Sequence, residues 1–141
     1  MFRTAPEDSA LSTESTSKVM VIDDDERVLV SVKRMLERQG YCVVVHDGGP
    51  GCFKEVANFK PNLVLIDVNM PFLSGDAFVA LFGQCSAITD SKIVLFSAID
   101  ELTLEQKVRD CGAQGYICKT DSGLEFGRKV AGFLRQEPAA I

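Results

Sequence analysis

Six residues whose side chains can do chemistry each follow a short apolar run. They are Asp23, Asp24 and Asp25 after KVMVI, Asp67 after NLVLI, Ser97 after KIVLF, and Lys119 after GYIC. Three carboxylates gathered about 5 Å apart repel by about 3 kcal/mol per pair at an effective dielectric of about 20, so they must share protons or hold a cation. An oxygen-only donor set without His or Cys suits a hard cation, and Mg2+ keeping several waters suits so few protein oxygens better than a caged Ca2+. A carboxylate beside such a cation can attack phosphorus, because the cation offsets repulsion between the anionic attacker and the phosphoryl oxygens. Lys119 adds a second positive charge and Ser97 a hydroxyl donor, with loop N–H groups to complete a cradle. Taken singly, these residues have plainer readings: Asp25-Glu26 as an acidic helix start, Asp67-Val68-Asn69 as a turn, Lys119 as a solvated amine. Their joint placement at strand ends favours phosphoryl transfer.

The elements that must position them are legible as five alternations of an apolar run with a helical pattern, the signature of a parallel sheet with crossover helices. The predicted strands are Lys18–Ile22, Tyr41–Val45, Asn62–Ile66, Lys92–Phe96 and Gly115–Cys118. Near-continuous apolar runs imply strands covered on both faces. Val28, Leu29, Val32, Met35 and Leu36 recur at helical spacing before Gly40, and Cys52, Phe53, Val56 and Phe59 mark a second helix. A third helix is expected from about Ser74 to Phe82, stopped by Gly83, and a fourth from Asp100 or Thr103 to Cys111, stopped by Gly112. Thr103 and Gln106 have capping-box spacing, as do Ser122 and Glu125 at the fifth helix, whose Leu124, Val130, Phe133 and Leu134 are expected to face the sheet before Pro138. The fold class is α/β: a doubly wound five-stranded parallel sheet, flavodoxin-like, in strand order 2-1-3-4-5 with five helices. That order makes strands one and three neighbours and places the crevice beyond their carboxyl ends.

A chain of 141 residues accommodates one domain. The expected division is a flexible tail over 1–17, the domain over 18–136, and a C-terminal tail or linker start over 137–141. The formal charge of −5 argues against direct nucleic-acid binding, which wants a basic surface. Five cysteines, odd in number and without metal spacing toward the single His46, imply free thiols in a reducing cytoplasm. The Ser-, Thr- and Glu-rich N-terminus has no apolar run long enough for a signal peptide or membrane span, so no membrane partner is expected.

VMVIDDDERVL, LVLIDVNMPFLSGDAF, IVLFSAID and GAQGYICKT occur in that order. With them the chain resembles the response-regulator receiver domains of bacterial two-component systems, from about Lys18 to Arg135. The resemblance implies that Asp67 is the phosphoacceptor and that Asp23, Asp24, Asp67 and the Asn69 backbone carbonyl hold Mg2+. It implies Ser97 as the switch hydroxyl, Lys119 as the amine that meets the phosphoryl group, and Tyr116 as the aromatic switch. The implied donor is a histidine kinase or histidine phosphotransfer protein, and the implied output surface is formed by helix 4, strand 5 and helix 5. Lys119-Thr120 stands where the family usually has Lys-Pro, and Ser97 where Thr is commoner. A trans bond or a strained loop is expected at Lys119-Thr120, since a non-proline cis bond costs about 3 kcal/mol. Such a chain is no enzyme in the ordinary sense but an acceptor that assists its own phosphorylation and dephosphorylation. Ile99 is placed to shield the acyl phosphate, and Met70, Phe72 and Leu102 are rim residues available to partners. Two other functions remain open. One is a metal-dependent aspartyl phosphatase, disfavoured by Asn69 where that chemistry wants an acid. The other is a receiver-like interaction module that works without phosphorylation.

Overall fold

The computed structural model describes residues 16–69 and 90–135. Continuous apolar runs form five strands: β1 (Lys18–Ile22), β2 (Cys42–His46), β3 (Leu63–Ile66), β4 (Lys92–Ser97) and β5 (Gly115–Cys118). All neighbouring strands pair in parallel, in the order β2-β1-β3-β4-β5. This is the expected doubly wound order. The described helices are α1 (Glu26–Arg38), α2 (Cys52–Phe59), α3 (Glu101–Cys111) and α4 (Gly123–Arg135). The expected helix over 74–82 lies outside the described residues, so α3 and α4 correspond to the predicted fourth and fifth helices.

Alternating strand residues feed two cores. Leu29, Val32 and Leu36 of α1 and Phe126 and Val130 of α4 pack with Val21, Leu65, Val94 and Ile117 on one face. Cys52 and Val56 of α2 and Leu104 of α3 pack with Ile22, Ile66, Leu95 and Cys118 on the other. Burial on both faces explains why the strands carry so little polar alternation. It also makes register costly to shift, so the strand ends stay aligned.

The helix ends confirm some expectations and revise others. Asp25 caps α1, its carboxylate accepting the Arg27 N–H at 3.0 Å. Gly40 and Gly112 follow α1 and α3 at φ 96° and 85°, the left-handed conformation glycine adopts without a side-chain clash. At α3 the cap is Asp100, not Thr103: Asp100 accepts from both the Thr103 N–H and its hydroxyl at 2.9 Å. Gln106 reaches forward to Asp110 instead of back to a cap. Ser122 does cap α4 through the Glu125 N–H at 3.1 Å. Leu124, expected to face the sheet, is 70% exposed, and Phe126 takes the buried position. Leu124 is about 200° around the helix from Phe126 at about 100° per residue, so the two cannot share a face.

Candidate functional site

The carboxyl ends of β1 and β3 are adjacent, because Ile22 stands beside Ile66 in the ladder. Asp23 and Asp67 continue those strands, the Asp67 N–H still bonding to the Ile22 carbonyl at 2.9 Å. Asp23 is fully buried and Asp67 is 6% exposed, whereas Asp24 is exposed at the mouth. Asp23, Asp24 and Asp67 each present an oxygen within 4.8 Å of the others. The acids drawn together by topology are thus close enough to demand a positive counterpart.

Lys119 supplies part of it. Its N–H donates to the Ser97 carbonyl at 2.8 Å, extending the β4–β5 ladder past the strand and aiming the side chain inward. The ammonium lies 2.6 Å from Asp23 Oδ2 and 3.6 Å from Asp67 Oδ2. It also sits 5.6 Å from the centre of the Phe96 ring, a cation–π contact that adds electrostatic support. Asp23 Oδ2 is buried and, despite its closeness to the ammonium, accepts no well-directed hydrogen bond. The 2.6 Å ion pair is attractive, yet its missing directionality leaves that oxygen with spare coordinating capacity.

Around these groups the backbone fixes the loops. Asp23 Oδ1 accepts the Asp25 N–H at 3.0 Å, and Asp67 Oδ1 accepts the Asn69 N–H at 3.3 Å. Burial pushes the Asp67 carboxyl above its ordinary value; Lys119 and the Asn69 amide pull it back, while Asp23 and Asp24 push it further up. Ser97 is the last residue of β4, not the first beyond it, and is 2% exposed. Its hydroxyl accepts the Ile99 N–H at 3.2 Å, and Ile99 itself packs on the core under α2 and α3.

The Lys119–Thr120 bond is trans, as one of the two sequence expectations had it. The loop it opens is held without proline: the Asp121 N–H bonds the Cys118 carbonyl at 3.1 Å, and Lys129 pairs with Asp121 at 2.9 Å. That hydrogen bond with Asp121 raises the Lys129 ammonium above its usual range. Beyond Lys119, a groove of about 510 Å³ between α1 and α4 is lined by Val28, Met35, Phe96 and Phe126, but not by Asp23 or Asp67. Lys119 lines that groove too, so its ammonium stands between the groove and the carboxylate cluster.

Tyr116 is partly buried on the α3 side of the sheet, its hydroxyl 3.3 Å from Glu101 Oε1 and from Glu105 Oε2. Burial, then the two carboxylates, push its phenol up to about 12. Sequence reasoning singled out Asp23, Asp24, Asp67, Asn69, Ser97 and Lys119, and the structure gathers them at one edge. It did not single out Phe96, Glu101 or Glu105. A signal for the last two was the i, i+4 acidic pair on a helix preceding a strand with Tyr.

The model of the response regulator receiver domain matches residues 19–126. The chain belongs to that family. A relative, the protein PilG of Pseudomonas aeruginosa PAO1, is 30% identical over 109 residues, covering 77% of this chain and 81% of PilG. The alkaline phosphatase synthesis transcriptional regulatory protein PhoP of Bacillus subtilis is 29% identical over 127 residues, covering 87% of this chain. The matched part is only 50% of PhoP, so the chain spans about half the length of that relative. Among solved structures, the receiver domain of a sensor histidine kinase from P. aeruginosa PAO1 superposes with a TM-score of 0.76 at 16% identity, covering 86% of this chain and 99% of that one. At that identity the likeness speaks to the fold; that structure carries a magnesium ion coordinated in its active-site cleft. Among the described residues of this receiver domain, no helix is long and apolar enough to cross a membrane.

Proposed function

We propose that this receiver domain, over 18–136, is a phosphoacceptor in which Asp67 takes a phosphoryl group from a histidine kinase or histidine phosphotransfer protein in the cytoplasm. The observation that carries the reading is the buried Asp67 carboxylate, with two further acids within 4.8 Å and the Lys119 ammonium at 3.6 Å. Mg2+ fits this place. The donors are all oxygens, one of them the buried Asp23 Oδ2 without a directed hydrogen bond. Asp23, Asp24, Asp67 and the Asn69 carbonyl would hold the ion. When bound, it neutralises charge on the phosphoryl oxygens and offsets repulsion among the acids.

An Asp67 oxygen attacks phosphorus in line, the bond from phosphorus to the donor's imidazole nitrogen breaks, and that nitrogen recovers a proton. Lys119 shifts its attraction from Asp23 and Asp67 toward the new dianion. Ser97 turns its hydroxyl from acceptor of the Ile99 N–H to donor toward a phosphoryl oxygen, and Tyr116 moves into the space this vacates. The surface of α3, β5 and α4 changes population as a result, and partners reading that surface respond. Ile99 shields the acyl phosphate from water.

Incubation with acetyl phosphate and Mg2+ tests the scheme by intact-protein mass. A gain of one phosphoryl group, lost on hydroxylamine treatment and absent from Asp67→Asn, is expected. No gain in the wild type refutes it and leaves the phosphorylation-independent docking module, whereas the same gain in Asp67→Asn refutes Asp67 as the acceptor.

A further inference from the structure

Tyr116 and Cys118 are two apart on β5 and share the face covered by α2 and α3. Glu101 and Glu105 are one turn apart on α3, so their carboxylates share a helix face. The Tyr116 hydroxyl sits between them at 3.3 Å from each, and the Cys118 thiol approaches Glu101 Oε2 at 3.9 Å. A phenol has one proton to donate, so it serves one carboxylate at a time while the other stands ready to take over. Both acceptors are charged, and such bonds are stronger than neutral ones.

The same end of that helix is tied to the phosphorylation site. The Ser97 hydroxyl accepts the Ile99 N–H, Asp100 caps α3, and Glu101 is its first residue. Movement of the Ser97 hydroxyl toward a phosphoryl group breaks the Ile99 bond and frees the segment that presents Glu101. Tyr116 cannot turn toward Ser97 until its hydroxyl has left both carboxylates.

We propose, building on the phosphoacceptor reading above, that Glu101 and Glu105 are positioning residues that latch the Tyr116 hydroxyl on the α3 side and so set how readily the phosphorylated arrangement forms. The latch opposes switching. Glu→Gln at either position keeps the length and an acceptor oxygen but removes the charge, while Tyr116→Phe keeps the ring and removes the donor.

The test is beryllofluoride affinity in the presence of Mg2+, measured for wild type, Glu101→Gln/Glu105→Gln, Tyr116→Phe and the triple variant, with circular dichroism melts to confirm folding. The double variant is expected to bind about three- to tenfold more tightly than wild type, the difference between a charge-assisted hydrogen bond and the neutral one that Gln still accepts. In the Tyr116→Phe background the same two substitutions are expected to change affinity less than twofold, because the latch acts through the hydroxyl (about twofold being the usual limit of additivity error). Equal tightening in both backgrounds would assign the effect to net charge and overturn the proposal. So would unchanged affinity of the double variant. Each single variant carries the same comparison should the double variant not fold. Wild-type protein that binds no beryllofluoride would instead remove the phosphoacceptor reading itself, and the latch with it.

Discussion

Replacing Asp67 by Asn should make the metal-free protein more stable at neutral pH, although it removes the proposed phosphoacceptor. Asp23 and Asp24 each have an oxygen within 4.8 Å of one on Asp67, and at an effective dielectric of about 20 each pair repels by about 3.5 kcal/mol. Lys119, at 3.6 Å, returns about 4.6 kcal/mol at the same dielectric. The remainder is about 2 kcal/mol unfavourable; burial of Asp67 adds to it and solvent around the exposed Asp24 reduces it. A gain of about 1–3 kcal/mol is therefore expected for Asp67→Asn. The pH dependence follows from the direction of the shift. Burial raises the folded-state value of Asp67 above its ordinary 3.8, so the folded chain binds this proton more tightly than the unfolded chain. Its favourable contribution is complete below 3.8 and is lost as pH rises through the folded value, so the advantage of Asn should be present at pH 7 and gone below that range. Urea unfolding in EDTA, followed by circular dichroism because the chain has no Trp, measures both ends of this window. Adding Mg2+ at about ten times its dissociation constant should stabilise wild type by about 1.4 kcal/mol and narrow the difference. An Asp67→Asn protein no more stable than wild type at pH 7, or equally favoured in acid, refutes the account of the site as a repulsive cluster.

Lys119→Met should slow phosphorylation by acetyl phosphate about ten- to a hundredfold, the loss of one charge-assisted contact to the transferring group, read as phosphoprotein formed against time. An unchanged rate would place the ammonium outside the transfer step. The thiols should separate sharply under alkylation of native protein at mildly alkaline pH. Cys42 is exposed, whereas burial, then Asp47 and Glu55, push Cys52 up to about 12. Peptide mapping should find Cys42 modified and Cys52 protected until urea is added; early modification of Cys52 would mean that α2 opens readily.

How far the sequence disclosed all this depends on whether a feature is set by a pattern along the chain or by what lies across from it. β1 and β5 were legible to the residue because each is an unbroken apolar run ending at a charged or turn residue, and the carboxylate cluster followed from strand order alone. Ser97 reads as the first residue beyond β4 because the apolar run ends at Phe96. Its backbone nevertheless continues the ladder, since the Lys119 N–H across the sheet still needs the Ser97 carbonyl. The cap of α3 was ambiguous for a related reason. Asp100 and Thr103 both carry capping chemistry, and Asp100 won because the chain leaves the sheet only three residues earlier, at Ser97, so α3 must begin at once. Phe96 beneath Lys119 and Glu101 with Glu105 around Tyr116 join residues 23, 15 and 11 positions apart, and no local period encodes such pairings. The groups proposed to react sit on backbone that topology aligns, whereas those proposed to tune them are reached through side chains from neighbouring elements. Two chains with the same acids at the same strand ends can therefore share the chemistry and still differ in how tightly Tyr116 is held, which is where substitutions on α3 should act.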